Sequence, residues 1–457
     1  MDNKTVRKTE SPATVIHNKE HGKIYHDFFL RIVKFLDMLM LTAVFGYVWV
    51  FYYNPLTWDP FFYWGNWVFV FLYLLLIILC GRVYDAFLVS YNRISEMVYS
   101  QMLAIVVADT FTYIVILLLT KGIPHVWPML LTALAQGVVA TVWSVFAHTW
   151  YFHNFKAKRT IVVSDESHGL EKLLADSELV KKFDVKSSVT SKEFITHSKK
   201  YQDIEVVFIS GVSSHLRNKI IKYCVYKGIG IFVLPKLGDI LMSGATPMHM
   251  FHLPLMRLGQ YNPTPEYVVF KRACDIVFSA IGLIVLSPIL LITAICIKTD
   301  GGPVFYTQTR MTQGGRKFKL IKFRSMKEDA EKDGVARLST GENDDRITKV
   351  GRFIRKIRLD ELPQLFNILL GDMSFVGPRP ERPEIASEYE KEMPEFRLRL
   401  QAKAGLTGYA QVYGKYNSTP YEKLQMDLMY LAKPGIAQDL RIVFATIKIL
   451  FLPESTR

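Results

Sequence analysis

The sequence predicts a membrane α-helical protein with four spanning helices, followed by a Rossmann-like α/β domain, a re-entrant membrane helix and a mainly α domain that carries the candidate catalytic residues. Three observations predict it. Four long apolar stretches fill the first third of the chain, short apolar runs alternate with helical patterns after them, and a proline-broken apolar segment then leads into a basic region of soluble texture.

With 457 residues there is room for two to four domains. Half of the residues are hydrophobic (50%) and 13% are aromatic, more than a soluble enzyme usually carries. A formal charge of +14 suits contact with anionic lipid or phosphate-bearing substrates, although basic residues flanking membrane segments produce the same excess. Cys80, Cys224, Cys274 and Cys296 are scattered, so neither a disulfide framework nor a zinc spacing can be drawn, which fits a reducing cytoplasmic face. The first 27 residues are polar and lack the apolar core and small-residue cleavage site of a signal peptide. Residues 1–28 are expected to be a disordered cytoplasmic tail.

Within residues 29–154, the apolar stretches 29–53, 61–80, 102–120 and 127–152 are each near the ~20 residues a helix needs to cross the hydrocarbon. Trp58, Trp64, Trp67, Trp127 and Trp150 sit near their ends, as interfacial aromatics do. The first connection has no Lys or Arg and the third only Lys121, whereas Lys19, Lys23, Arg31, Lys34, Arg82, Arg93, Lys156, Lys158 and Arg159 flank the other ends. Both ends of this bundle are therefore placed in the cytoplasm. Asp109, inside the third span, could mark a proton path or simply face a helix neighbour.

Residues 155–260 read as the α/β domain: strands at 160–164, 205–210 and 230–234, helical patterns at 169–183 and 216–227. A dinucleotide-binding domain runs its first strand into Gly-x-Gly-x-x-Gly, and here the strand runs into Ser164-Asp-Glu-Ser-His168. No glycine-rich cofactor turn is expected. Tyr223-x-x-x-Lys227 matches a dehydrogenase pattern, but without that turn it reads as a chance match on an amphipathic helix.

Residues 266–299 are apolar for about one membrane width, broken by Ser287-Pro288 and flanked by basic residues on both sides. A re-entrant helix keeps both flanks on the cytoplasmic face; a proline-kinked fifth span is the alternative. Residues 300–457 open with a hairpin, 304–309 and 317–323, around Gly314-Gly315, and continue with helical patterns at 347–357, 362–370, 383–400, 421–431 and 436–452.

The chemistry concentrates at Asp360-Glu361. These precede Leu362-Pro363, and Gly371 ends the apolar run, so Asp360 is placed at or near a helix N-cap. Alone, that is ordinary capping. Arg355 and Arg358 stand just before the pair, and Val376-Gly-Pro-Arg-Pro380 follows it. Two prolines hold the backbone around Arg379 extended, which suits planar capture of a phosphate. A carboxylate attacking a phosphoryl group meets anion–anion repulsion, which a divalent cation and fixed arginines offset. Adjacent acids supply one nucleophile and one group to hold Mg²⁺ or manage a proton. Strand alternation sets Lys322 and Arg324 on one face as further phosphate contacts, with a basic surface strand as the plain alternative.

Lys271-Arg ahead of the Ser287-Pro288 break, Gly302-Pro-Val-Phe-Tyr-x-Gln308, Lys322-Phe-Arg-Ser-Met, Leu359-Asp-Glu-Leu-Pro-Gln-Leu-Phe-Asn367, Gly371-Asp-Met-Ser-Phe-Val-Gly-Pro-Arg-Pro380 and Gly405-Leu-Thr-Gly-Tyr-Ala-Gln411 occur in that order. Together they resemble the bacterial sugar transferases, the monotopic phosphoglycosyl transferases. With four spans and a glycine-poor Rossmann-like domain ahead of them, the chain is similar to the large, polyprenyl glycosylphosphotransferase branch. The resemblance implies transfer of a sugar-1-phosphate from a UDP-sugar to a polyprenyl phosphate, usually undecaprenyl phosphate, with release of UMP, as the first membrane step of exopolysaccharide, capsule or O-antigen assembly. It implies Asp360 as nucleophile, Glu361 beside it, a requirement for Mg²⁺ at this pair, and a multi-pass bacterial inner-membrane protein with a cytoplasmic catalytic domain. It carries phosphate binding to Arg355, Arg379 and Lys322, and substrate binding to Thr407, Gly408 and Gln411. A homodimer is allowed, and nothing points to nucleic acid. Two positions depart from the family pattern: Arg358, commonly Ser, and Ala404, commonly Pro. The sugar is not legible, because hydroxyl stereochemistry is read by pocket geometry.

Two other classes compete. An NAD-dependent sugar-nucleotide dehydratase needs the missing glycine turn. A scaffold with a dead catalytic domain predicts a broken dyad, and Asp360, Glu361 and Arg379 are all present.

Overall fold

The computed structural model describes residues 12–165, 178–201, 203–250, 252–259, 261–327, 346–414 and 418–450. The chain falls into two compact units divided between Leu234 and Pro235.

The first unit opens with α1 (Pro12–Val48), carried on by a π-helical turn (Trp49–Tyr53), then α2 (Tyr63–Val83), α3 (Ile94–Leu119) and α4 (Trp127–Asn154). By length and composition, α2, α3 and α4 can each cross a membrane. The apolar part of α1 carries Arg31, Lys34 and Asp37. Residues 12–28 are helical, so they are not the disordered tail the sequence suggested; no proline or glycine interrupts residues 13–21. Residues 1–11 of that expectation lie outside the described residues.

Large apolar side chains such as Phe71, Leu79 and Val142 point outward, while Ala104, Ala108, Ala140 and Ala147 are buried between helices. Small residues at the contacts let the helices approach, as membrane bundles require. Gly137 shows how close: a Cβ there would stand 2.8 Å from the Met102 sulfur. Asp109 faces neighbouring helices, accepting a hydrogen bond from the Tyr73 hydroxyl at 2.6 Å, and that hydroxyl accepts one from Gln136 Nε2 at 2.8 Å.

The same unit holds a parallel sheet of β1 (Lys158–Ser164), β2 (Phe183–Val189), β3 (Val206–Ser210) and β4 (Gly230–Val233), in the order β2-β1-β3-β4, with α5 (Ser191–Thr196) and α6 (Ser214–Tyr226) between strands. The central strands β1 and β3 are buried on both faces, which is why they read as unbroken apolar runs. On one face Ile161, Val163, Val207 and Ile209 pack with Phe194, Ile220 and Cys224. On the other, Phe208 stacks on Phe232 and meets Phe183 edge-on.

One expectation changes here. The helix expected over 169–183 lies outside the described residues as far as 177; after it, Glu178–Lys181 is a 3-10 turn and Phe183 already opens strand β2. A bulge opposite Thr160/Ile161 shifts the register of this edge strand by one residue, so Phe183 packs on the Phe208 face and Val189 on the Ile161 face. Tyr223 packs edge-on to Phe194 in the core, so the Tyr-x-x-x-Lys match is structural. Asp165, just past β1, accepts hydrogen bonds from the Ser191 backbone N–H at 2.8 Å and hydroxyl at 2.7 Å. Residues 166–168 of the expected strand-end loop lie outside the described residues.

The second unit runs α7 (Leu237–Ser243), a hairpin of β5 (Thr246–Met250) and β6 (Leu253–Arg257), α8 (Pro265–Val285), α9 (Ser287–Thr299), a hairpin of β7 (Phe305–Met311) and β8 (Lys317–Phe323), α10 (Lys349–Lys356), α11 (Gln364–Leu370), β9 (Met373–Val376), α12 (Pro383–Glu392), a 3-10 stretch (Pro394–Gln401), β10 (Ala404–Thr407), α13 (Tyr409–Tyr413), α14 (Pro420–Ala432) and α15 (Ile436–Leu450). Residues 235–260, which the sequence attached to the α/β domain, belong to this unit. Ile240 of α7 sits in one core with Val376, Phe396, Leu424, Leu428 and Ile442, and Gln425 Nε2 donates to the Pro235 carbonyl at 2.7 Å. The helix expected over 383–400 is cut at Met393, because Pro394 disfavours helical backbone before it. Strands β9 and β10, unforeseen, pair in parallel.

Helices α8 and α9 bend by 61° at the Ser287-Pro288 break. Both halves rest on the same unit: Leu283 and Leu286 pack with Phe318 and Leu365, and Leu290 and Ala294 with Phe323 and Ile354. Polar ties fix the base of α8. Lys271 pairs with Asp439 at 2.6 Å, Arg272 donates to the carbonyls of Ile368 and Leu369 at 2.7 and 2.9 Å, and Asp275 accepts from Ser374 Oγ and the Phe375 N–H at 3.1 and 3.0 Å. The outward side chains Ile284, Val285, Leu291 and Ile292 are exposed and apolar.

Candidate active site

The acidic pair sits on a backbone reversal. Thr348 caps α10 by accepting from the Gly351 N–H at 2.9 Å, and the helix ends at Lys356. Arg358 then adopts left-handed backbone, φ 55°, which costs a non-glycine residue about 1–2 kcal/mol and persists only where the surroundings hold it. A 3-10 turn, Leu359–Glu361, follows, and α11 starts only at Gln364. Asp360 is therefore near the N-cap of α11 and not at it, the second of the two placements the sequence allowed. Pro363, just before the helix, is the N-cap, and the acids lie on the turn before it.

Glu361 is the electrostatic centre. Its Oε1 lies 3.2 Å from Lys322 Nζ and 3.5 Å from Arg379 Nη2, and its Oε2 lies 3.7 Å from Arg358 Nη1. Burial opposes ionisation of this carboxyl, but Lys322, Arg379 and Arg358 outweigh burial and hold its pKa at about 2. Asp360 moves the other way: burial and the neighbouring Glu361 charge raise its pKa, against the pull of Lys322 and Arg355. Burial also lowers the pKa of Lys322, with Glu361 acting against it. Two adjacent carboxyls whose pKa values are driven apart are a recurring sign of divided roles in a reaction.

Each contributing element has a local reason for its place. Phe318, Leu320 and Lys322 share one face of β8, so the buried Phe and Leu lead the lysine inward to the pair. Asn367 of α11 fixes β8 from the side, accepting from the Ile321 N–H at 3.0 Å and donating to the Lys319 carbonyl at 2.8 Å. Arg379 arrives on the loop after β9, which passes so close to β10 that a Cβ on Gly377 would stand 2.2 Å from the Lys403 carbonyl oxygen. The cleft so formed is lined by Arg310, Lys322, Glu361, Gln364, Arg379 and the Gly405 backbone.

Of the residues expected at the site, Asp360, Glu361, Lys322, Arg355 and Arg379 come together. Arg324 does not join them. The strand ends at Phe323, and Arg324 turns away to donate to the carbonyls of Ile297 and Gly301, capping the end of α9. Thr407 and Gly408 support the site from behind. The Thr407 hydroxyl is 2.6 Å from that of Thr446, and Gly408 packs on the Gly377 carbonyl, where a Cβ would stand at 2.2 Å. Gln411 donates to the Leu406 carbonyl at 3.3 Å. Ser287 and Pro288 form the α8–α9 break, the Ser287 hydroxyl donating to the Ile284 carbonyl at 2.7 Å.

Sequence reasoning missed Arg310, Gln364, Arg399 and Asp427. The first two line the cleft. Arg399 and Asp427, 2.7 Å apart and each almost fully buried, lie behind the Arg379 loop. The only signal available was polar residues at inward positions of otherwise apolar patterns.

Acidic and basic side chains thus converge in a cleft on a unit that also carries a bent pair of apolar helices, an arrangement suited to moving a phosphoryl group at a lipid surface. The family model described as bacterial sugar transferase matches residues 266–453. A UDP-N-acetylgalactosamine-undecaprenyl-phosphate N-acetylgalactosaminephosphotransferase of Aeromonas hydrophila is 36% identical over 231 residues, which is 50% of this chain and 53% of that protein. Two proteins named UDP-glucose:undecaprenyl-phosphate glucose-1-phosphate transferase are also similar. That of Klebsiella pneumoniae is 41% identical over 47% of this chain and 45% of its own length. That of Caulobacter vibrioides is 37% identical over 44% of this chain and 78% of its own. This chain belongs to the bacterial sugar transferase family. Its match spans about half the length of the first two of these relatives.

Proposed function

We propose that the protein transfers a sugar-1-phosphate from a UDP-sugar to undecaprenyl phosphate, or a like polyprenyl phosphate, and releases UMP, so starting the assembly of an extracellular polysaccharide. The observation that carries this reading is the Asp360-Glu361 pair, with Glu361 in a cleft beside Lys322 and Arg379 and also paired with Arg358, on a unit that also bears a bent apolar helix pair. The activities for which the relatives are named supply the substrate classes.

The reaction divides into two displacements. An Asp360 oxygen attacks the β-phosphorus of the UDP-sugar, a P–O bond to Asp360 forms, and the bond to the bridging oxygen breaks so that UMP leaves. An oxygen of the polyprenyl phosphate then attacks the same phosphorus, and the Asp360 carboxylate is the leaving group. Lys322, Arg379 and Arg355 offset the charge on the non-bridging oxygens. Glu361, ionised throughout, keeps Lys322 and Arg379 aimed into the cleft. Mg²⁺ would be held here by Asp360 and Glu361, since that ion is usually held by one or two carboxylates plus substrate phosphates. Bound there, it would neutralise phosphate charge.

α8–α9 is read as a re-entrant helix on the cytoplasmic face. Both of its halves pack on the same unit while their outer faces stay apolar, and a straight span cannot return to the unit it left. The four helices of the first unit are read as spans with both ends cytoplasmic, and its parallel sheet as Rossmann-like without a cofactor turn.

UMP release from a panel of UDP-sugars, with and without undecaprenyl phosphate in nanodiscs, tests the reaction. Release from at least one donor supports it, and none from any donor removes it. Topology has its own check: Thr309→Cys in a background lacking the four native cysteines should react with an impermeant maleimide only after the cells are opened. Labelling of intact spheroplasts from outside would rule out the re-entrant reading.

A further inference from the structure

We infer that Arg399 and Arg310 are positioning residues for Arg379, holding its loop by the loop's own carbonyl oxygens. Four consecutive carbonyls are held in register. Pro378 accepts from the Gly405 N–H at 2.9 Å, Arg379 from Arg399 Nη2 at 2.9 Å, Pro380 from Arg310 Nη1 at 3.0 Å and Glu381 from the Met311 N–H at 3.1 Å. The outer two bonds are between backbones and survive most substitutions. The inner two flank the Arg379 peptide and depend wholly on side chains.

Both guanidinium groups are themselves fixed. Arg399, on the 3-10 stretch, meets Asp427 of α14 at 2.7 Å and Glu381 Oε1 at 3.5 Å. Arg310, on β7, meets Gln308 Oε1 at 2.7 Å and Glu381 Oε2 at 3.9 Å. Glu381 thus stands between the two arginines and ties them into one clamp. A buried Arg–Asp pair is a poor way to gain stability, because desolvation consumes much of the Coulomb attraction and apolar residues of similar volume often do as well. What apolar side chains cannot supply is a hydrogen bond to the Arg379 carbonyl at a set angle.

Arg379 needs such help. Its side chain is 43% exposed and reaches Glu361 only at 3.5 Å, so no packed surroundings set its direction. The backbone must do so. Behind the loop lies a small cavity bordered by Pro378, Glu381, Ala386, Phe396, Arg399 and Ala402, into which the loop can settle when Arg399 is shortened. A shift of about 1 Å in a positioning group is enough to cost 10²-fold in rate.

The inference rests on the proposed role of Arg379 at a substrate phosphate, and a double-mutant cycle on the full-length protein in nanodiscs tests it separately. kcat and KM for UMP release, and the Kd of UDP by calorimetry, are measured for wild type, R399M, R379A and R399M/R379A. If Arg399 acts through Arg379, R399M lowers kcat/KM and UDP affinity at least tenfold in the native background and less than twofold in the R379A background. Equal factors in both backgrounds overturn the inference, as does an unchanged R399M. R399K, which keeps the charge and one donor, runs in parallel and replaces R399M should that variant fail to fold; the factor expected of it is smaller, with the same dependence on Arg379. Wild type that binds UDP but releases no UMP defeats the proposed reaction while the UDP arm still decides this inference. Wild type that does not bind UDP defeats both.

Discussion

Asp360→Asn is expected to abolish the sugar-phosphate adduct that forms from UDP-sugar without lipid acceptor, lowering its rate by at least ~10³, equivalent to about 4 kcal/mol of barrier. The amide is nearly isosteric but has no anionic oxygen to attack phosphorus. It leaves the pairs of Glu361 with Lys322 and Arg379 in place, so the cleft keeps its charge pattern. Stability should not fall. Burial and the Glu361 charge both disfavour the ionised Asp360 carboxyl in the folded protein, and the neutral amide relieves both. The thermal midpoint of Asp360→Asn is therefore expected to equal or exceed that of wild type, the exchange of stability for activity that functional sites show. Intact-protein mass spectrometry after incubation with UDP-sugar reads the adduct directly. An undiminished adduct in Asp360→Asn would remove Asp360 from the nucleophile's role.

What could be read from the sequence was whatever the backbone period or a rare residue imposes locally. The long apolar helices α2, α3 and α4, the buried strands β1 and β3, and the break at Ser287-Pro288 all announce themselves this way. The acidic pair and the Pro-Arg-Pro loop were visible for the same reason. Short elements were not. Strands β9 and β10 have four residues each, and each is defined by the partner it finds across roughly thirty residues of chain. Residues 235–260 carry no signal of which core they join, because that depends on Ile240 meeting Leu424 and Leu428. Arg324 illustrates a further limit: alternation set it beside Lys322, but the strand stops one residue earlier, and the α9 carbonyls take the guanidinium. Asp360 illustrates another, since the left-handed Arg358 opens a 3-10 turn where local propensity suggested a helix start. The clamp behind Arg379 brings together side chains from β7, the 3-10 stretch and α14, so only the folded chain reveals it.

Glu361→Gln separates binding from turnover. Three cations, Lys322, Arg358 and Arg379, share this one carboxylate, and the amide keeps its shape while removing its charge. The cleft becomes more positive, so KM for the UDP-sugar should stay level or fall. kcat should drop by ~10²–10³, the range seen when a preorganised electrostatic group is removed, because Lys322 and Arg379 lose the acceptor that aims them and Asp360 loses its neighbour. A rise in KM with unchanged kcat would show that Glu361 serves binding alone. Acid stability offers a second readout. The Glu361 carboxyl has a folded pKa of about 2 against 4.5 for the free group, so the unfolded chain binds the extra proton between those values. The stabilisation it gives is fully present above about pH 4.5 and is lost as the pH falls toward about 2. Wild type should therefore lose thermal stability more steeply than Glu361→Gln between about pH 5 and 3. Parallel slopes would mean that the three cations do not hold this carboxylate ionised in the folded protein.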